Sequence, residues 1–272
     1  MCSPGFFVVE YAINPWMDTA TPVDTALAVK QWEGLRSALL DLGHEVHTLT
    51  PQPGLPDMVY AANGAFSVDG TVYGAKFRFP QRAAEAEWHR AFYAEHGWRY
   101  VAATATNEGE GDFAYLPQAH GGLILAGYGY RTEPAAHIEA QEVLGRPVLS
   151  LRLVDPRFYH LDTVLAALDD ENIVYYPEAF SPASQRVLAQ LFPAAVRADE
   201  ADAVAFGLNL VSDGRHVVLN SSASGLADRL SRAGYVPIPV ELDELRKGGG
   251  SVKCCVAELR PAEADTTARV LG

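Results

Sequence analysis

Cysteine is scarce in this chain. Three occur in 272 residues and two of them, Cys254 and Cys255, are adjacent, which argues against a disulfide framework and leaves a thiol with a chemical task. Positive charge is also short: 21 Lys+Arg stand against 34 Asp+Glu, for a net charge of −13, with no basic cluster. Nucleic-acid backbones need clustered Lys and Arg, so nucleic acid is excluded as a partner. No apolar run approaches the ~18 residues of a membrane span, which excludes a membrane partner. The first basic residue is Lys30, so the charged start of a secretory signal peptide is missing and a cytoplasmic location is expected. What remains is a hydrophobic share of 49%, enough for a sizeable core, on a length that allows one large domain or two small ones. The acidic excess suits a small cationic substrate, although solubility alone also accounts for it.

Helical periodicity predicts helices at about 25–42, 80–97, 134–145, 182–192 and 223–234. Apolar strand pairs lie between them, interrupted by turn signals at Asp69-Gly70, Gly121-Gly122, 169–172 and Asp213-Gly214. A unit of hairpin, helix and strand thus recurs four times, the mark of a repeat architecture. The strand-like segments Phe6 to Ile13 and Ser251 to Leu259 supply the two halves of a fifth hairpin and would close a ring when paired. The expected fold class is therefore α/β, a closed propeller-like domain over residues 1–260, with a polar tail at 261–272. In such a ring, hairpin loops from every repeat converge on one axis, and residues remote in sequence meet there.

Polar residues that break apolar strands near those loops are the candidates for chemistry. Three glycines precede Ser251-Val252-Lys253-Cys254-Cys255, giving a flexible backbone, a cation and a thiol. Strand alternation turns only one of the two cysteines to the axis, although a buried thiol is often merely structural. His160 and Asp162 alternate onto one strand face, a pair suited to acid/base work. The run from Asn107 to Asp112 holds three carboxylates spaced by glycine, without the spacing of a calcium loop. Asn63 interrupts the first hairpin, Asn14 ends the amino-terminal strand, and Arg131 offers a guanidinium fork for a carboxylate. His44 and His47 lack the HExxH spacing and face opposite sides of a strand, so no metal site is expected there.

Taken in order, Asn63-Gly64, Glu108-Gly109-Glu110-Gly111-Asp112, the Arg131 motif, His160-Leu161-Asp162 and the Gly248-to-Cys254 run resemble the pentein, or guanidino-group-modifying, superfamily. It comprises arginine deiminases, dimethylarginine dimethylaminohydrolases, amidinotransferases and arginine dihydrolases. The resemblance covers about residues 6–260 and implies a five-bladed α/β propeller. It implies Cys254 as nucleophile and His160 as proton shuttle, with Asp162 and one of the acidic residues between Glu108 and Asp112 on the guanidinium. It also implies Arg131, with Arg82, on the substrate carboxylate. Asn63 where deiminases and dimethylarginine hydrolases commonly carry Asp, together with Asn14 and the Cys-Cys pair, is more similar to arginine dihydrolases, which release ornithine, carbon dioxide and ammonia. The alternative is a dimethylarginine hydrolase releasing citrulline and an amine; an amidinotransferase and a noncatalytic propeller are further classes. A small-molecule substrate is implied, arginine or a derivative, with no metal or organic cofactor, and a homo-oligomer is compatible with it.

Overall fold

A computed structural model of the chain describes residues 1–262. Beyond its first two residues, the tail expected at 261–272 lies outside the described residues. Four three-stranded sheets are built alike, each an antiparallel hairpin whose second strand pairs in parallel with a third strand. In the first, Ala65–Val68 pairs with Thr71–Gly74, which pairs with Arg99–Val101. The others repeat the order with Phe113–Leu116, Leu123–Tyr128 and Val148–Arg152, then Leu165–Ala167, Ile173–Tyr175 and Val196–Arg197. Val211–Ser212, His216–Asn220 and Val236–Val240 form the fourth. The Asp69-Gly70 turn has positive φ at both residues, 48° and 78°, as the tight turn matched to strand twist requires.

Helices cross from the second to the third strand of each sheet. Thr25–Asp41, which lies ahead of the first sheet, starts on Asp24, whose carboxylate accepts from the Leu27 amide, and buries Ala28, Trp32, Leu35 and Leu39. That spacing is one helix face, and each large side chain it buries contributes roughly 1.5–3 kcal/mol. Pro134–Leu144, Pro182–Leu191 and Ser224–Arg232 fall within two residues of expectation. The single helix expected over 80–97 is two, Pro80–Ala83 and Glu85–Glu95, divided at Ala84.

The fifth hairpin is a correction, because neither 6–13 nor 251–259 contains a strand. Residues 252–255 form a turn instead, in which the Cys255 amide donates to Ser251 and Val252 carbonyls and Val256 to that of Lys253. These amides are spent locally and cannot form a ladder. The chain ends nevertheless meet, since Phe7, Val9, Leu35, Leu245 and Val252 share one buried cluster. The carboxy-terminal stretch runs along the first hairpin, with Ala62 N donating to Cys254 O (3.0 Å) and Gly70 N to Arg260 O (2.9 Å).

Candidate active site

Short turns entering the hairpins carry the polar residues. Single 3₁₀ turns occupy Ala61–Gly64, Gly109–Gly111 and Leu161–Thr163, immediately before the first three hairpins. The fourth is preceded by a turn at 205–209, and the last is the turn at 252–255. Expected strand alternation is therefore absent at His160, Asp162, Cys254 and Cys255; tight turns aim these side chains. Cys254, His160, Glu108, Asp162 and Asn63 are all at most 4% exposed. Polar groups so buried need partners, and those lacking them are informative.

Cys254 Sγ lies 3.2 Å from Asp162 Oδ2 and 3.2 Å from Asn209 Nδ2. Burial and the neighbouring Asp162 carboxylate push the thiol well up from its ordinary value. Burial likewise pushes Asp162 up to about 7, against hydrogen bonding from Cys254 and the charge of Lys253. Both shifts favour the neutral forms, thiol and carboxyl, in the unliganded protein. Cys255, equally buried, is raised by burial, with the amino terminus opposing, and has no side-chain hydrogen bond to these groups among the described residues.

His160 Nε2 lies 2.8 Å from Glu108 Oε2, and the same oxygen accepts from Arg131 Nη1 at 2.6 Å. Burial alone would raise Glu108, but Arg131, His160 and Arg82 outweigh it and hold the carboxyl well below its usual range. An ionised Glu108 favours the proton on His160 Nε2 and leaves Nδ1 as an acceptor, which has no hydrogen-bond partner among the described residues. Gly111 preserves the space beside it, since a Cβ there would come within 2.4 Å of Asn63 Nδ2 and 3.0 Å of His160 Nδ1.

The three carboxylates of the second turn separate. Glu108 meets His160 and Arg131, while Asp112, pushed up to about 6 by burial against His160 and hydrogen bonding with Thr132, accepts from Leu161 N with Oδ1 and leaves Oδ2, 3.9 Å from His160, without a close hydrogen bond among the described residues. Glu110 lies in a different network, accepting from Lys253 Nζ (2.5 Å) and Arg260 (2.6 Å). Asn63 Oδ1 accepts from Arg82 Nη1 (2.7 Å), and the rest of that guanidinium is taken by Glu85 and the Asp57 carbonyl. Arg131 also donates to Ile13 O and lies over the Phe79 and Tyr159 rings. Asn14 bridges Gly248 O and Trp16 N.

Two residues escaped the sequence reading. Asp57 is fully buried, raised by desolvation against the Arg82 charge, and has an unpartnered Oδ1. Asn209 touches the Cys254 sulfur, and it breaks an apolar run just before the fourth hairpin as Asn63 does before the first, a signal that was there to be used. A cavity of about 580 Å³ has Leu39, His89, Phe92, Trp98 and Val256 in its wall, and neither Cys254 nor His160.

No protein-family model matches the chain. It is 53% identical over 261 residues to an N(G),N(G)-dimethylarginine dimethylaminohydrolase of Mycobacterium tuberculosis, covering 96% of this chain and 85% of that one. It is 34% identical over 257 residues to the bifunctional arginine dihydrolase/ornithine cyclodeaminase ArgZ of Synechocystis, covering 93% of this chain and only 36% of the relative. The solved N-terminal domain of ArgZ, in a variant covalently bound to a reaction intermediate, superposes with a TM-score of 0.91 at 32% identity, covering 96% and 97% of the two chains. A dimethylarginine dimethylaminohydrolase adduct, at TM-score 0.73 and 20% identity over 89% and 94% of the chains, shares the fold. The chain belongs to the pentein superfamily, as one of its cysteine hydrolases of guanidino C–N bonds in arginine-type substrates.

Proposed function

We propose that this protein hydrolyses the guanidino group of an N-methylated arginine to citrulline and an amine, through a thiouronium adduct on Cys254. One observation carries the chemistry. Asp57 Oδ1, Asp112 Oδ2, Asp162 Oδ1 and His160 Nδ1 are buried without hydrogen-bond partners among the described residues, and three of these are carboxylate oxygens fit to accept from the N–H groups of a cationic substrate. The choice of methylated substrate is supported by the 53% identity to the mycobacterial dimethylarginine hydrolase.

Asp112 and Asp162 receive the guanidinium, whose charge favours release of the Asp162 proton to water and formation of the Cys254 thiolate, the thiol proton passing to His160 Nδ1. The sulfur attacks the guanidinium carbon. The displaced proton, taken up by His160 Nδ1, passes to the departing amine as its C–N bond breaks. Water then gives a proton back to His160, adds to the same carbon, and the C–S bond breaks. Arg131 takes the substrate carboxylate in exchange for Ile13 O, and Asp57 Oδ1 takes the α-ammonium. Arg82 acts through Asn63, which it holds, rather than on substrate. Residues 1–260 act as one catalytic unit whose fifth sector is made from both chain ends, in keeping with a five-bladed propeller.

A second reading, arginine dihydrolase, is favoured by Asn63, a neutral amide that holds a guanidinium less firmly than a carboxylate and leaves a ureido product free to react again. Incubation of purified protein with arginine and with asymmetric dimethylarginine, resolving citrulline from ornithine by mass, separates the two. Dimethylamine and citrulline from dimethylarginine support the first reading; ornithine from arginine replaces it with the second; an inert protein sinks both.

A further inference from the structure

Asn209 is fully buried and organises the nucleophile's turn from a different repeat. Its Oδ1 accepts from Ser251 N (3.1 Å) and Cys254 N (3.2 Å), and its backbone carbonyl accepts from Lys253 N (3.2 Å). Three of the four amides at 251–254 thus end on this one residue. Because two backbone donors occupy Oδ1, the amide orientation is fixed and Nδ2 must be the donor. It donates to Asp162 O and to Cys254 Sγ, both at 3.2 Å. Burial, the Asp162 carboxylate and Cys255 all oppose ionisation of the sulfur, against hydrogen bonding from the Ser251 backbone.

We propose that Asn209 is a catalytic residue of this hydrolysis, donating through Nδ2 to the Cys254 sulfur as it becomes a thiolate and again as it leaves carbon. This rests on Cys254 being the nucleophile of the reaction above. A neutral N–H strengthens its bond when the acceptor gains charge. The sulfur carries that charge twice in each cycle, before the C–S bond forms and after it breaks, so the same bond favours both attack and release. Oδ1 meanwhile holds the turn, which keeps the donor and sulfur in register without reorganisation.

The test is the pH dependence of Cys254 alkylation by iodoacetamide, followed at that residue by fragment mass spectrometry, in wild type, Asn209→Ser and Asn209→Thr. Both variants add no charge and are too short to span turn and sulfur together. The expected result is a profile displaced to higher pH, roughly tenfold slower alkylation at pH 7, and kcat lower by ~10²-fold with little change in KM, the scale of losing one preorganised donor. A variant that loses thermal stability while its alkylation profile superposes on wild type overturns the proposal. Two variants are used so that one folded protein suffices. Alkylation needs no substrate, so a wild-type protein inert toward arginine and dimethylarginine would sink the proposed function and still leave Asn209 judged by its profile.

Discussion

Replacing Asp162 by Asn tests whether this carboxyl is held protonated beside Cys254. In the folded protein its titration point is pushed from 3.8 up to about 7, chiefly by burial. A carboxyl raised on folding is protonated in the native state while the unfolded chain has already ionised. Between pH 4 and 7 the unfolded state therefore binds fewer protons, and stability falls as pH rises. The difference of about 3 pH units, at ~1.36 kcal/mol each, sets an upper bound of about 4 kcal/mol. Asparagine is neutral at every pH and matches the protonated carboxyl in shape. Thermal melts at pH 4.5 and 7.5 should show wild type losing more stability across the interval than Asp162→Asn, by roughly 5–15 °C in Tm. Asp112 and Glu85, raised to about 6 and about 7 mainly by burial, slope the same way in both proteins, so the difference between them isolates Asp162. Parallel profiles would show that Asp162 is ionised in the free protein, and the neutral carboxyl beside Cys254 would have to be abandoned.

Cys254→Ser should abolish turnover with the fold retained, whereas Cys255→Ser, away from Asp162 and Asn209, should keep most activity; comparable kcat values for the two would refute the nucleophile. His160→Ala should lose ~10²- to 10⁴-fold in kcat and let an adduct build up on Cys254, visible by intact mass, because both proton transfers use Nδ1; a loss under about tenfold places His160 outside the mechanism. Lys253→Met removes one of the two cations, with Arg260, that buried Glu110 and partly exposed Glu258 share, and urea melts should show a loss of about 1–3 kcal/mol, with an unchanged midpoint counting against the network.

Local sequence determined the repeat. Apolar alternation, the Asp69-Gly70 and Asp213-Gly214 turns and the helix faces are properties of short stretches of chain, and all four hairpins, with their following helices, stand where those signals lie. It also determined which residues were candidates, because a buried polar side chain inside an apolar run is costly wherever the chain goes. Tertiary structure decided what long-range partners control. The strand expected at 251–259 became a turn because Asn209, more than forty residues away, takes its amides, and no local pattern carries that information. The three carboxylates of Glu108 to Asp112 are alike in sequence, yet Arg131 and His160 claim Glu108 while Lys253 and Arg260 claim Glu110. Arg82 turns from a free guanidinium into the clamp on Asn63 only because Glu85 and Asp57 surround it. Propensity and periodicity act over a few residues, whereas charge state and hydrogen-bond allegiance depend on what the tertiary fold brings within hydrogen-bond reach.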